Sequence, residues 1–308
     1  MHFRFNPGIF ALACIFALLP AARAWDALGH MIVCQIAYEN LTPTAKAAFD
    51  RRLADFNRKK KTQYLPAITG TYMDDIRDQT REYNPWHYIN LPFTREGLPL
   101  PPPGEVNILW AIRKCVAIID GKSTDSKIDR DEAMVMLTHL VADVHQPLHT
   151  TSNNNDLGGN KVIVPNLVDP LLEMFGSNGN LHWFWDMSYR ATVDSEDFVT
   201  SAFSAPLYLR SAPVPGHLKA ADLVFEKATE YQEKFPAATA GGPATPEEWI
   251  SESHELGFDF AYGELPGGPD SNPVELDSSY VERATEISEK RLTLAGYRLA
   301  HLLNSILN

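Results

Sequence analysis

The sequence predicts a single, mainly helical domain with a small β element. The clearest 3.6-residue periodicity runs from Glu105 to Asp120 and from Arg130 to His145. Further amphipathic stretches follow at Ser195 to Ala205, His217 to Phe235, Pro246 to Tyr262 and Ser278 to Leu307. No internal repeat or long linker divides the chain, and Gly241-Gly242-Pro243 and Pro266-Gly267-Gly268-Pro269 are short punctuation between helices.

Residues 1–24 read as a secretory signal. Arg4 precedes an apolar run from Ile9 to Leu19 that is too short to span a membrane, and Ala22-Arg23-Ala24 fits the small-x-small pattern of a signal peptidase site. The expected mature protein, residues 25–308, is exported (secreted or periplasmic), monomeric and without a membrane anchor. Trp25 to Tyr38 reads as a turn followed by a helix, with His30 near its start. Leu41 to Phe56 reads as a second helix, capped by Thr42 with Pro43 in the first position. Arg58-Lys59-Lys60-Lys61 then forms a basic tip, either a solvated face or a phosphate-attracting rim.

Leu65 to Thr80 reads as a helix containing Asp74-Asp75-Ile76-Arg77, and Pro85 to Asn90 as a short extended segment. Leu98 to Gly104 is a proline-rich loop, and Gly159 to Val164 includes a small strand. The apolar positions Ala133, Val135, Met136, Leu137, Leu140 and Val141 make a helix that Gln146 and Pro147 bring to an end.

The formal charge of −12 becomes more negative once Arg4 and Arg23 leave with the signal. Such a balance excludes a broad basic face that grips nucleic acid non-specifically, but not a local anion site built on metal ions. Cys14 also leaves with the signal; Cys34 and Cys115 remain in apolar stretches, as a disulfide or as two buried thiols.

The chemistry concentrates in the histidines. His139 and Asp143 stand four residues apart on one helical face, and His149 lies just past the proline break. His182 and Asp186 repeat the spacing. Imidazole nitrogens and carboxylate oxygens from rigid helices are zinc donors, although neither pair is specific alone. His217, His254 and His301 fall on polar helical faces with surface roles expected.

An ordered set of motifs spans Trp25 to Asp186: Trp25 with Gly29-His30, Asp74-x-Ile76-Arg77, His87-Tyr88-Ile89, the run from His139 to His149, Asp156-x-Gly158-Gly159-Asn160, and Asn180-Leu181-His182-x3-Asp186. In this it closely resembles the secreted zinc-dependent nucleases of the S-one/P-one family, whose helical fold is related to that of zinc phospholipase C. The resemblance implies three zinc ions. Asp74, His87, His139 and Asp143 would hold one; His149, His182 and Asp186 a second; the amino nitrogen and carbonyl oxygen of Trp25, with His30 and a bridging Asp143, the third. Asp75 is the fallback for Asp74.

The resemblance further implies hydrolysis of single-stranded DNA and RNA to 5'-phosphomononucleotides, with 3'-nucleotidase activity, by a zinc-activated water. Asp74 would orient that water or take its proton, and Arg77 would face the scissile phosphate. Tyr88 would stack a nucleobase, and Asn90, standing where the family has an acid, would bond its edge; the polar run Ser152 to Asn155 would line the same pocket. His145 and Asp156 match no ligand and are either ligand-orienting or packing residues. A zinc phospholipase C is the alternative activity.

Overall fold

The computed structural model describes residues 25–77, 79–96, 99–165, 167, 179–192 and 215–307; the expected signal and the expected helix Ser195 to Ala205 lie outside them. Helix α1 (Ala27–Glu39) starts where Asp26, in extended backbone, accepts the Gly29 N–H. In α2 (Pro43–Lys60), Thr42 accepts the Ala45 N–H, Pro43 fills the first position, and Lys61 closes the helix in the left-handed conformation.

The central helix is α5 (Arg130–Asp143), capped by Asp129 and buried at every residue from Asp131 to Asp143. A helix buried all round belongs to the middle of a core. Its acidic first turn receives the end of α2: Lys59 bridges Asp129 at 2.7 Å and Asp131 at 2.6 Å, and Lys60 meets Glu132 at 2.7 Å. These contacts carry α2 one turn past Phe56. Lys59 and Lys60 of the basic tip are therefore inter-helix contacts, not a phosphate-attracting rim, while Arg58 pairs with Asp55 of its own helix.

The helix expected from Leu65 to Thr80 is broken into a 3-10 turn, Ala67–Thr71, and a single turn α3 (Tyr72–Asp75). Gly70 is the reason. It lies so close to α1 that a Cβ there would stand 2.7 Å from Cys34 Sγ and 2.8 Å from the His30 carbonyl. Its own carbonyl accepts from His139 Nδ1 at 2.6 Å. Pro85 likewise opens a 3-10 turn, Asn84–His87, where an extended segment was expected; the chain straightens only at Tyr88 before β1 (Leu91–Phe93).

Asn107 accepts the Leu109 and Trp110 N–H groups and so delays α4 to Ile108–Ile119. After α5, Pro147 opens another helix as well as ending the first: α6 (Pro147–Thr150), with Gln146 accepting the Leu148 N–H. Strand β2 (Thr151–Asn153) runs parallel to β1, with Leu91 opposite Thr151 and Phe93 opposite Asn153. The intervening helices form the crossover that parallel strands require.

Strands β3 (Ile163–Val164) and β4 (Gly179–Asn180) pair antiparallel. Asn180 then caps α7 (Leu181–Met187) by accepting the Trp183 N–H at 2.8 Å. Helices α8 (Pro215–Lys234), α9 (Ala237–Ala240) and α10 (Pro246–Leu256) follow. At Gly257 the expected continuation of α10 widens into a π-helical turn, Gly257–Tyr262, against β2, where a Cβ would strike Thr151. The long α11 (Ser278–Ile306) packs on α1 through Gly296.

Two apolar clusters result, one around α1, α2, α4 and α5, the other around Leu148, Leu181, Trp185 and Phe260 to Leu265. Cys34 and Cys115 are free and buried, and burial pushes their thiols up to about 11 and about 12. His301 is exposed. His254, expected at the surface, is partly buried beside the Thr151 hydroxyl at 3.2 Å.

Candidate metal centre

His87, His139 and Asp143 converge in a fully buried triangle. His139 Nε2 is 2.9 Å from His87 Nδ1 and 3.0 Å from Asp143 Oδ2, and His87 Nδ1 is 3.0 Å from the same oxygen. Because a carbonyl only accepts, the Gly70 contact makes His139 Nδ1 the donor, so in the neutral ring Nε2 presents a lone pair to the triangle. His30 stacks on His139 with centroids 4.0 Å apart, its Nε2 3.3 Å from Asp143 Oδ1. Among the described residues neither ring nitrogen of His30 has a hydrogen-bond partner. Asp74 places a carboxylate oxygen within 4.8 Å of ligand atoms of His30 and His139.

His149, His182 and Asp186 form a second buried group. His149 Nδ1 donates to the His87 carbonyl and His182 Nδ1 to the Gly158 carbonyl, each at 2.6 Å. Their Nε2 atoms therefore face each other as lone pairs, 3.2 Å apart. Asp186 Oδ1 is 3.7 Å from His182 Nε2 and accepts from Gln146 Nε2 at 2.7 Å.

Acceptor atoms aimed at one another in a dry interior repel unless a cation lies among them. Donors about 2.0–2.2 Å from a tetrahedral zinc stand roughly 3.3–3.6 Å apart, so both groups need only small adjustments to hold one. Burial and the neighbouring charges pull these groups in different directions. Burial opposes charge on His139, yet Asp143 overrides it and raises the imidazole to about 9. Burial also opposes ionisation of Asp143, but His139 and His87 hold its carboxyl well below the usual range. Burial, reinforced by His139, lowers His30 to about 3, and burial lowers His149. Burial raises the Asp186 carboxyl, against the pull of Gln146.

Trp25 is buried at the same place, its Nε1–H donating to the Ala142 carbonyl at 3.0 Å. The Asp26 N–H donates to the Asp186 carbonyl at 3.2 Å. Arg77 Nη1 lies 3.8 Å from Asp74 Oδ1. Asp75 is engaged elsewhere, accepting from the Tyr64 and Thr71 hydroxyls at 2.8 Å each. The Ile89 N–H donates to the His149 carbonyl at 2.9 Å, which sets Tyr88 and Asn90 on either side of that anchor. Tyr88 is 36 % exposed, so it is not a core residue. Asn90 and Asn155 both adopt positive φ, 46° and 62°.

Ser152 and Asn153 are buried in β2, and Asn153 bonds Pro269 and Asp270; only Asn154 and Asn155 of that run are exposed. His145 is turned away, with Nδ1 on the Val141 carbonyl and Nε2 3.1 Å from Arg298. Asp156 binds the Tyr262 hydroxyl and the Asn153 N–H, bracing the loop whose Gly158 carbonyl receives His182. Gln146, read from sequence as a helix terminator, touches Asp186 directly. No sequence pattern marks Gly70, since its contribution is a carbonyl, and the motif that contains Gly158 does not show that its carbonyl receives His182.

A model of the S1/P1 Nuclease family matches residues 25–308. The chain is 24% identical over 297 residues to Endonuclease 2 of Arabidopsis thaliana, covering 93% of this chain and 92% of that protein. It is 23% identical over 299 residues to Nuclease P1 of Penicillium citrinum, with 92% and 97% covered. It is also 23% identical over 315 residues to Nuclease S1 of Aspergillus oryzae, with 96% of each covered. On a match that begins at Trp25 and takes in both buried histidine groups, the chain belongs to the S1/P1 nuclease family, zinc-dependent hydrolases of phosphodiester bonds.

Proposed function

We propose that the chain is exported, cut after Ala24, and acts as a three-zinc endonuclease on single-stranded DNA and RNA, releasing 5'-phosphomononucleotides and removing 3'-phosphates from nucleotides. The observation that carries the reading is the convergence of imidazole and carboxylate acceptors whose Nδ1–H groups are already committed to the carbonyls of Gly70, His87 and Gly158. Asp74, His87, His139 and Asp143 hold one zinc, His149, His182 and Asp186 another, and the Trp25 terminus with His30 and Asp143 the third. Bound zinc supplies Lewis-acid stabilisation of phosphoryl oxygens and acidification of water.

The chain's own residues do the remaining work. Asp74 orients the attacking water and accepts its proton. Arg77, held near Asp74, presents a planar fork to the equatorial oxygens as their charge develops. The exposed ring of Tyr88 stacks an unpaired base, and the Asn90 and Asn155 amides bond its edge. A duplex must first unstack to present that base, which favours single strands.

Chromatography of products from single-stranded DNA and from a 3'-mononucleotide tests the reading. Nucleoside 5'-phosphates from the first and inorganic phosphate from the second are expected. Products ending in 3'-phosphate would contradict it. Tyr88→Ala should raise KM for oligonucleotides about tenfold with little change in kcat.

A further inference from the structure

We propose that Asp26, gripped by Tyr189 and Arg190, is the positioning residue for the amino-terminal part of the metal centre, fixing Trp25 and His30 against the ligands on α5 and α7. The inference rests on the three-zinc reading above and assigns what holds its third site together.

Asp26 lies between the two residues that site would use. Its carboxylate accepts the Gly29 N–H at 3.1 Å, one residue ahead of His30, and also takes the Tyr189 hydroxyl and the Arg190 guanidinium. Tyr189 and Arg190 are buried, as is Trp25, whose ring meets Tyr189 edge-on at 6.1 Å. At Gly29 a Cβ would stand 3.0 Å from Trp25 Cβ and 3.3 Å from the Tyr189 ring, so the four groups fill the space between them. The Asp26 N–H on the Asp186 carbonyl then ties this cluster to α7, and Trp25 Nε1 on Ala142 ties it to α5.

A helix cap alone requires none of this. Asn, Ser or Thr accepts the same N–H, and an exposed cap has no call for a buried arginine. A chain end cut just ahead of Trp25 has no covalent anchor on that side, and such ends fray unless tied down. The ion pair supplies the tie, because withdrawing Asp26 strands the Arg190 charge in the interior. Asp26 also neutralises Arg190 next to a centre that must collect cations.

The test uses mature protein with Asp26→Asn, Tyr189→Phe, Arg190→Met and the Asp26→Asn/Arg190→Met pair. Zinc per chain is read by elemental analysis, zinc affinity by competition with a chromophoric chelator, and stability by melting temperature. Asp26→Asn retains a cap and should weaken one of three zincs about 10- to 100-fold, leaving the other two bound. Tyr189→Phe, which removes only a hydroxyl, should shift the same zinc in the same direction. The double variant removes both buried charges and should regain melting temperature without regaining zinc affinity. Variants that hold three zincs at wild-type affinity would overturn the inference, as would affinity that simply follows melting temperature. Wild-type protein holding only two zincs would overturn the three-zinc reading, and this inference with it.

Discussion

Gln146 Nε2 donates to Asp186 Oδ1 at 2.7 Å, linking the cap of α6 to the last metal-competent residue of α7. The same side chain accepts the Leu148 N–H, so one residue both opens the helix that carries His149 and aims the carboxylate opposite. Gln146→Leu keeps the volume and loses both bonds. Zinc affinity at His149, His182 and Asp186 should fall about 10- to 100-fold, measured by chelator competition, while the His87, His139 and Asp143 group keeps its ion.

Asp74 and Asp75 are neighbours with opposite assignments. Burial raises the Asp75 carboxyl from 3.8 to about 6, even against hydrogen bonds from Thr71 and Tyr64. The folded state thus holds that proton more tightly than the unfolded chain, and stability is lost as pH rises from 3.8 through 6. Asp75→Asn removes the penalty and can still accept both hydroxyls. Metal-free Asp75→Asn protein should be more stable than wild type above pH 6, by on the order of 3 kcal/mol, and equal to it below 3.8. Urea melts on either side of this window, below pH 3.8 and above pH 6, check this. The same substitution should leave zinc-dependent hydrolysis in place, whereas Asp74→Asn should abolish it.

Gly70→Ala tests how tightly the 3-10 turn is wedged against α1. The added methyl meets Cys34 Sγ and the His30 backbone carbonyl, and the backbone cannot yield without moving the carbonyl that orients His139. A loss of about 1–3 kcal/mol in thermal or urea unfolding is expected, together with weakened zinc binding. Wild-type stability would show that the turn relaxes freely.

Much of this was legible in the sequence because it lies in local rules. The cap at Thr42 and the 3.6-residue pattern of α4 and α5 follow from neighbours a few residues away. The His139 and Asp143 pair follows from helix geometry, and the ordered motifs carried the family. What sequence does not show is set by contacts across the fold. The helix around Gly70 breaks because α1 lies against it, and α10 widens at Gly257 because β2 does. The basic tip of α2 looked like a free charged face because its acidic partners, Asp129, Asp131 and Glu132, are some 70 residues away. Asp26 and Arg190 gave no signal, since a capping Asp is ordinary and an Arg acquires meaning only when buried.

In the function proposed above, the converging histidines and carboxylates hold zinc for phosphodiester hydrolysis. The most direct measurement is cleavage of single-stranded DNA and RNA by purified protein beginning at Trp25, assayed as isolated, after chelation, and after zinc is returned. Cleavage should disappear on chelation and return with zinc. Cleavage that survives complete removal of metal, or none from protein shown to hold three zincs, would contradict it.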